Sequence, residues 1–172
     1  MHVQDWQIDC CGDRFAVGDE VEWTLMLAPE DSSWDWPPEI AVELEPTEQR
    51  EARHELGEWG RIVTVAGTEV AVPDYGDASQ QRLRGILIED HHGTVPDDLV
   101  ATCGVVRRIR VVRQEFHSTG HQAGCQISGT VALRDVDRVP DAFLDRRPAD
   151  GPHLVEVGVL ADLELRARPS AL

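Results

Sequence analysis

Two histidines and a cysteine recur at every fourth position near the middle of the chain, a spacing that could hold a metal ion. His117, His121 and Cys125 follow one another in the segment HSTGHQAGC. Imidazole nitrogen and thiolate sulfur are ligands of tetrahedral zinc, and Cys10 or Cys11 could supply a fourth ligand. Two glycines in the segment disfavour a helix. The alternatives are a loop that wraps zinc and a polar loop whose histidines face water.

A second polar group, EDHHG at residues 89–93, directly follows the apolar run ILI. An acid beside an imidazole can orient it as a general base, and a cysteine near His91 or His92 would form a thiolate–imidazole pair. The alternative is a polar turn with one histidine packed and one exposed, because neighbours in an extended segment point to opposite faces. His91 and His92 are candidate ligand-binding residues.

Two tryptophans, Trp34 and Trp36, stand in the acidic, proline-bounded segment DSSWDWPP. Exposed tryptophan is enriched at binding hot spots, so both residues are candidates for ligand binding. The alternative is that they pack as a lid over one end of the fold, because large aromatic side chains are more often buried than displayed.

Four arginines lie close together in RRIRVVR at residues 107–113. Guanidinium groups could bind an acidic ligand or a phosphate. The chain has 32 acidic residues against 16 basic ones, however, so pairing with its own carboxylates on neighbouring strands is the simpler interpretation.

The adjacent Cys10 and Cys11 precede Gly12 and Asp13, which indicates a tight bend between two strands. Free cysteine is among the most buried residue types, so at least one of the pair is predicted to be a small core residue. The alternative is that the pair contributes to a metal site with His117, His121 and Cys125.

The elements that position these residues are predicted mainly as strands. Apolar and polar residues alternate along the chain, which is typical of half-buried strands. Strands are predicted over residues 2–8, 15–27, 40–45, 61–73 (a hairpin with Ala66, Gly67 and Thr68 at its tip), 83–90 and 104–112, with at least two more after residue 125.

One helix is predicted at about residues 47–57, where strong helix formers follow Thr47 and Gly57 ends the segment. Loops are predicted at about 28–39 and 114–124. The expected fold is mainly β, an antiparallel small barrel or sandwich with SH3-like or OB-like elements and one short helix. A length of 172 residues fits a single domain over 1–172.

Charge and hydropathy limit the classes of partner. The formal net charge of −16 repels phosphate backbones and anionic lipids, so neither nucleic acid nor membrane is expected as a partner. The sequence contains no apolar run long enough to span a membrane, and its first residues do not resemble a signal peptide. A cytoplasmic location with reduced thiols is therefore expected.

Two apolar strands, GVVRRIRVV and LVEVGVLADLEL, are candidates for sheet edges. If the second lay at an edge, two copies could pair along it, so the sequence suggests a weak homodimer. The acidic charge opposes this association, and salt would favour it by screening.

Ten residues near the N-terminus form a pattern that can be compared with known sequence families. Trp6, Cys10, Cys11, Gly12, Phe15, Val17, Gly18, Asp19, Val21 and Trp23 are similar to the opening of an uncharacterised domain-of-unknown-function family of actinobacteria, and the EDHHG segment resembles part of the same pattern. No activity is established for that family, so the resemblance implies no catalytic residue.

The residues favour a non-catalytic domain that binds a protein partner or a small ligand. The sequence contains no nucleophile elbow, phosphate loop or dinucleotide fingerprint. The alternative is a zinc-binding protein or an enzyme centred on cysteine and histidine.

Overall fold

The computed structural model describes residues 1–10, 13–28, 40–54, 57–74, 82–90, 93–119, 125–144 and 150–166. These residues form twelve strands and one helix, which confirms the mainly β class with one short helix. The helix is α1 (Asp5–Cys10), and the strands are β1 (His2–Gln4), β2 (Glu20–Trp23), β3 (Leu25–Ala28), β4 (Val42–Leu44), β5 (Glu48–His54), β6 (Gly57–Val65), β7 (Thr68–Pro73), β8 (Leu83–Glu89), β9 (Thr102–Thr119), β10 (Cys125–Gln126), β11 (Ala132–Val136) and β12 (Asp150–Leu165).

The chain divides into two compact units. Unit 1 consists of Met1, Glu20–Val105 and Glu164–Leu172, and unit 2 of His2–Asp19 and Val106–Leu163. The long strands β9 and β12 therefore contribute residues to both units. The single domain expected from chain length stays a prediction.

In unit 1 five strands pair in the order β8, β3, β7, β6, β5. β3 and β7 run parallel, whereas β3 with β8, β7 with β6 and β6 with β5 are antiparallel. β4 pairs with the first residues of β8, beyond the part that β3 occupies. This order is an open path among the described residues, so the predicted barrel or sandwich type is not confirmed.

Alternating side chains give the unit 1 sheet an apolar cluster on each face, because successive residues of a strand point to opposite sides. Leu25, Leu27, Val63, Val70 and Leu83 form one buried cluster. Ile62 and Ala71, the direct sequence neighbours of Val63 and Val70, belong to a second buried cluster. This cluster also contains Ala52, Val95 and Leu99. The period-two pattern therefore generates both layers of this core.

Residues 93–101, called the cover segment below, supply Val95 and Leu99 to the second cluster. Charged residues of the sheet hold the end of this segment. Glu69 accepts hydrogen bonds from the Val100 amide at 3.0 Å and from Arg50 Nη2 at 3.1 Å. Arg50 also donates to the Asp98 carbonyl at 3.0 Å. The cover segment thus buries one face of the sheet without being a helix or strand.

The predicted hairpin over residues 61–73 is confirmed as β6 and β7. Val65 lies opposite Thr68, and the two residues between them are Ala66 and Gly67. Both have positive φ, 50° and 82°, which is the geometry of a type I′ turn.

In unit 2 the strands pair in the order β10, β9, β12, β1, and β11 also pairs with β9. β1 is antiparallel to β12, with Val3 opposite Val159 and Gln4 opposite Gly158. α1 follows β1 directly and buries Gln7 and Ile8. The unit thus places the start of the sequence beside its last strand.

The VGD motif of the N-terminal pattern forms a tight turn in unit 2. The Asp19 amide donates to the Ala16 carbonyl at 3.1 Å, and Gly18 has a φ of 99°. The same two residues form a second hydrogen bond, in which the Ala16 amide donates to the Asp19 carboxylate at 2.8 Å. These features are typical of a type II turn, which requires glycine at its third position. The motif therefore has a structural role.

The helix predicted at residues 47–57 is wrong. Glu48–His54 forms β5, and Gly57 begins β6. Helix propensity contributes only a few tenths of a kcal/mol per residue, and tertiary pairing outweighs it here. Ala52, which pairs with Gly60, is buried in the second cluster of unit 1, while Glu51 before it is exposed.

The single strand predicted over residues 2–8 is also wrong beyond Gln4, because Asp5–Cys10 is the helix α1. Its six residues are too few for a period of 3.6 to be distinguished from a period of two in sequence.

The predicted loop at 114–124 is wrong for residues 114–119, because β9 continues to Thr119. The two predicted sheet edges are wrong as well. β9 lies between β10 and β12, and β12 lies between β9 and β1. The predicted weak homodimer assumed that β12 has a free edge, and the structure removes that assumption.

Two sequence predictions concern the segment with the two tryptophans and the absence of a membrane span. The segment with Trp34 and Trp36, which was predicted as part of a loop at about 28–39, stands between β3 and β4 in the sequence, and residues 29–39 lie outside the described residues. No helix in the described part of the chain is long and apolar enough to span a membrane.

Replacement of Gly158 by alanine is expected to destabilise the fold strongly. Gly158 has a φ of 128°, and a Cβ atom there would lie 2.3 Å from the Val3 carbonyl oxygen. Urea unfolding of Gly158→Ala should show a loss of about 3 kcal/mol or more. The control is Gly129→Ala, where φ is 77° and an added Cβ would meet nothing within 4 Å. Its loss should be about 1–2 kcal/mol, from backbone strain alone. Equal losses for the two variants would contradict the steric explanation.

Candidate functional site

The structure brings two of the predicted zinc ligands together at the hairpin of β9 and β10. Cys125 is paired directly with His117, and Gln126 with Phe116. The Ile127 amide extends the pairing by donating to the Glu115 carbonyl at 2.8 Å. The alternation of strands places directly paired residues on the same face. His117 and Cys125, whose eight-residue separation suggested a metal-binding loop, therefore form a cross-strand pair.

The geometry of this pair suits a shared metal ion. Side chains directly opposite in an antiparallel pair have Cβ atoms about 4.5–5.5 Å apart. A zinc ion bound about 2.3 Å from sulfur and 2.0–2.1 Å from an imidazole nitrogen fits within that span. His117 and Cys125 are both exposed, and the Cys125 thiol is free. The pair can therefore supply two ligands to an ion that arrives from solvent.

The other predicted metal ligands are not brought to this pair by the described residues. Cys10 is an exposed free thiol at the last residue of α1. Cys11 and His121 lie outside the described residues. Within the part of the chain that the structure describes, no group of three or more His, Cys, Asp or Glu side chains could hold a metal ion.

The EDHHG segment has a structural role through its aspartate. Asp90 is buried, and its Oδ2 accepts hydrogen bonds from the Thr94 amide at 2.9 Å and the Val95 amide at 3.1 Å. The Asp90 amide donates to the Thr24 carbonyl at 2.9 Å, and the Thr24 hydroxyl donates to the Asp90 carbonyl. Asp90 therefore fixes the start of the cover segment. These bonds also occupy Thr24, at the break between β2 and β3. His91 and His92 lie outside the described residues.

The arginine cluster of β9 pairs with the chain's own carboxylates, as predicted. Arg108 donates to Asp135 on β11 through Nε at 2.5 Å and Nη2 at 3.0 Å. Arg110 donates to Asp162 on β12 at 2.6 Å. The hydrogen bond from Arg108 is the main reason that the pKa of Asp135 lies below its ordinary value. Phosphate binding by these arginines would have to displace those contacts.

Glu156 connects several elements of unit 2. One of its oxygens accepts hydrogen bonds from Arg113 at 2.9 Å and Arg134 at 3.1 Å, and the other from the Leu144 amide at 3.0 Å. Burial raises the pKa of this carboxyl, but the three hydrogen bonds outweigh burial and hold the pKa below its ordinary value. Glu156 is therefore an ionised structural residue, and no sequence pattern singled it out as a candidate.

The tryptophans divide between described and undescribed positions. Trp34 and Trp36 lie outside the described residues, so their proposed role in binding is not tested. Trp23 is half-buried and packs against the first cluster of unit 1. Trp6, on the short helix α1, is 43% exposed. Sequence reasoning missed Trp6 because the predicted strand gave no indication that this side chain would face solvent.

His2 is a buried titratable residue that the sequence patterns did not single out. It lies on β1 opposite Leu160 and is fully buried. Burial, reinforced by the positive charge of the α-amino group, lowers the pKa of His2 to about 3. The imidazole is therefore neutral at physiological pH and is inaccessible to a substrate.

Comparison with known proteins gives one match. The model of a family of unknown function (DUF6578) matches residues 1–165. Neither the curated proteins nor the solved structures include a match to the chain. The match extends over the N-terminal pattern and the EDHHG segment, from which the resemblance was first drawn.

Replacement of Asp90 by alanine is expected to release the start of the cover segment. The Thr94 and Val95 amides would lose their acceptor, which costs about 1–3 kcal/mol for buried groups. Hydrogen exchange should show lost protection of the Val95 amide, and urea unfolding should show the loss of stability. The control is Asp98→Ala in the same segment, because Asp98 has a side chain that is 62% exposed and an ion pair with Arg50. A loss below about 1 kcal/mol is expected there. A larger loss of stability for Asp98→Ala than for Asp90→Ala would contradict the role of Asp90 in fixing the start of the cover segment.

The neutral His2 makes stability depend on pH in a defined direction. Its pKa is about 3 in the folded chain and has an ordinary value of 6.5, so the unfolded chain binds the proton more readily. The free energy of unfolding should therefore fall as pH falls from 6.5 toward 3. Between pH 6.5 and 5 this contribution is about 2 kcal/mol at most.

Urea unfolding of the wild type and of His2→Phe across pH 7 to 5 measures this contribution. Phenylalanine fills a similar volume and cannot be protonated, so the variant should show a flatter dependence on pH in that window. All other titratable groups are common to the two proteins, so the difference between the two curves reports His2. Parallel curves for the two proteins would show that His2 is not the group responsible.

Proposed function

Since the chain belongs to this family of unknown function, DUF6578, we propose its function from its own side chains: a non-catalytic β domain that binds a protein partner or a small ligand. The proposal includes a cytoplasmic location, where free thiols such as those of Cys10 and Cys125 stay reduced.

The observation that carries this proposal is the structural use of the polar groups that would otherwise be candidates for chemistry. The Asp90 carboxylate accepts two backbone amides, and Glu156 accepts two arginines and an amide. A general base or a nucleophile has to be free to exchange a proton or bond with substrate. Groups fixed in this way support a binding function more than a catalytic one.

The charge of the chain indicates the chemistry of a protein partner. The formal net charge is −16, and ion pairs already engage several of its arginines. Complementary electrostatics favours a partner with a basic surface and disfavours nucleic acid or an anionic membrane. Trp34 and Trp36 are the side chains that we propose as the centre of that contact, because tryptophan is enriched at binding hot spots.

A second candidate function, zinc binding, is favoured by one specific observation. His117 and Cys125 occupy directly paired, exposed positions of β9 and β10. Both side chains are ligands of zinc in proteins, and their pairing on one face would let them bind the same ion. This function is compatible with the first, because a metal can stabilise or create a binding surface.

The binding function is tested by comparing the wild type with a Trp34→Ala, Trp36→Ala double variant. Each protein is immobilised and exposed to the same lysate of the source organism, and retained proteins are identified by mass spectrometry. We expect a partner with a basic surface to be retained by the wild type and lost from the double variant. Far-ultraviolet circular dichroism verifies that both are folded.

The matched control is Trp6→Ala, since Trp6 is an exposed tryptophan in α1. The Trp6→Ala variant should retain the partner if Trp34 and Trp36, between β3 and β4, form the contact. An unchanged set of retained proteins in the double variant would contradict the assignment of Trp34 and Trp36. Loss in the Trp6→Ala variant alone would move the contact to α1.

A further inference from the structure

The hairpin pair His117 and Cys125 has fewer ligands than a closed zinc site needs. Structural zinc sites are almost always tetrahedral with four protein ligands. The pair supplies two, and the described residues add no third to form a metal-binding group. An ion held by this pair therefore has two coordination positions open to ligands from elsewhere.

We propose that a second copy of this chain fills those positions, so that two copies share one zinc ion, each through His117 and Cys125. This inference rests on the zinc-binding candidate function above. The resulting set is two cysteines and two histidines, a common composition of structural zinc sites. A two-fold axis through the ion exchanges one His–Cys pair with the other, and a tetrahedral arrangement permits such an axis. The interface is then isologous, as in most symmetric dimers.

The position of the hairpin permits this approach. β10 is the last strand in the order β10, β9, β12, β1, so no further described strand pairs with its outer side. β10 is also only two residues long, and both candidate ligands are exposed. Two such hairpins can meet at an ion without first displacing a neighbouring strand of unit 2.

Charge explains why the association would require the metal. Two chains with a formal net charge of −16 each repel one another. Glu115 is exposed and lies two residues before His117, so it projects from the same face of β9 and adds negative charge beside the ligands. A zinc ion carries two positive charges, which balance the two Cys125 thiolates, so the bound site itself adds no net charge. The metal–ligand bonds therefore have to supply the free energy that offsets the repulsion between the chains.

Binding at this site also has a defined proton balance. Each Cys125 thiol has to lose a proton to become a thiolate ligand, and that proton passes to solvent or buffer. Each imidazole has to be neutral to donate a lone pair to the metal.

The experiment is sedimentation velocity of the reduced full chain, titrated with zinc chloride and then treated with EDTA. We expect a monomer without metal and a dimer that is complete at one zinc ion per two chains, because four ligands saturate the ion. EDTA should restore the monomer. Cobalt(II) in place of zinc should give the visible absorption of a tetrahedral site with thiolate ligands, which reports the coordination directly.

Two variants and one control assign the ligands. Cys125→Ser and His117→Ala should each abolish the zinc-dependent dimer, while Cys10→Ser should retain it, since Cys10 is an equally free and exposed thiol in α1. Far-ultraviolet circular dichroism without metal verifies that each variant is folded, and both ligand residues are exposed, so folding should not depend on them.

The outcomes separate this inference from the function on which it rests. A chain that binds one zinc ion through Cys125 and His117 but stays a monomer would overturn the shared site and leave the zinc-binding function standing. Loss of that monomeric binding in His121→Ala would identify a third ligand from the same chain, with the same consequence. A chain that binds no zinc would overturn both proposals.

Discussion

A carboxylate can be buried only where hydrogen bonds or cations replace its water, since the desolvation of a charge costs several kcal/mol. Asp90 and Glu156 meet this requirement in the two units. Asp90 receives the Thr94 and Val95 amides, which holds the cover segment against unit 1, and Val95 then completes an apolar cluster. Glu156 receives Arg113 on β9 and Arg134 on β11. In each unit a buried carboxyl group thus holds neighbouring segments of the chain through its hydrogen bonds.

The sequence predicted the mainly β class and most of the strands, because their patterns are long and regular. β6, β7 and β8 carry adjacent apolar residues, because apolar clusters cover both faces of the unit 1 sheet. The errors fall where the pattern is short or where the environment opposes propensity. β5 contains strong helix formers, yet the burial of Ala52 and its pairing with Gly60 require an extended backbone. α1 is six residues long, and no periodicity can be measured over so short a segment.

The candidate site was predicted in its residue types but not in its geometry. The spacing of His117 and Cys125 suggested a loop that either wraps zinc or faces water. A β-hairpin accommodates the same spacing by pairing the two residues across strands. That outcome depended on the length of β9, which the polar residues from Gln114 onward concealed. The arginine pairing was predictable because an excess of acids makes internal partners plentiful. The structural use of Asp90 was not, because a cap on a segment without regular structure has no periodic signal.

The distribution of charge links the fold to the chemistry that remains at the surface. The arginines that form ion pairs with carboxylates among the described residues include Arg14, Arg50, Arg82, Arg84, Arg108, Arg110, Arg113, Arg134 and Arg166. Most of these pairs are exposed, and each contributes little to stability. Their larger effect is on recognition, because paired guanidinium groups are not free for an anion. With 32 acids against 16 bases, the charge left over is negative, which favours the cations and basic surfaces that we propose as ligands. A cation that prefers nitrogen and sulfur over oxygen would pass over the many carboxylates and select a histidine beside a cysteine, as at the hairpin of β9 and β10.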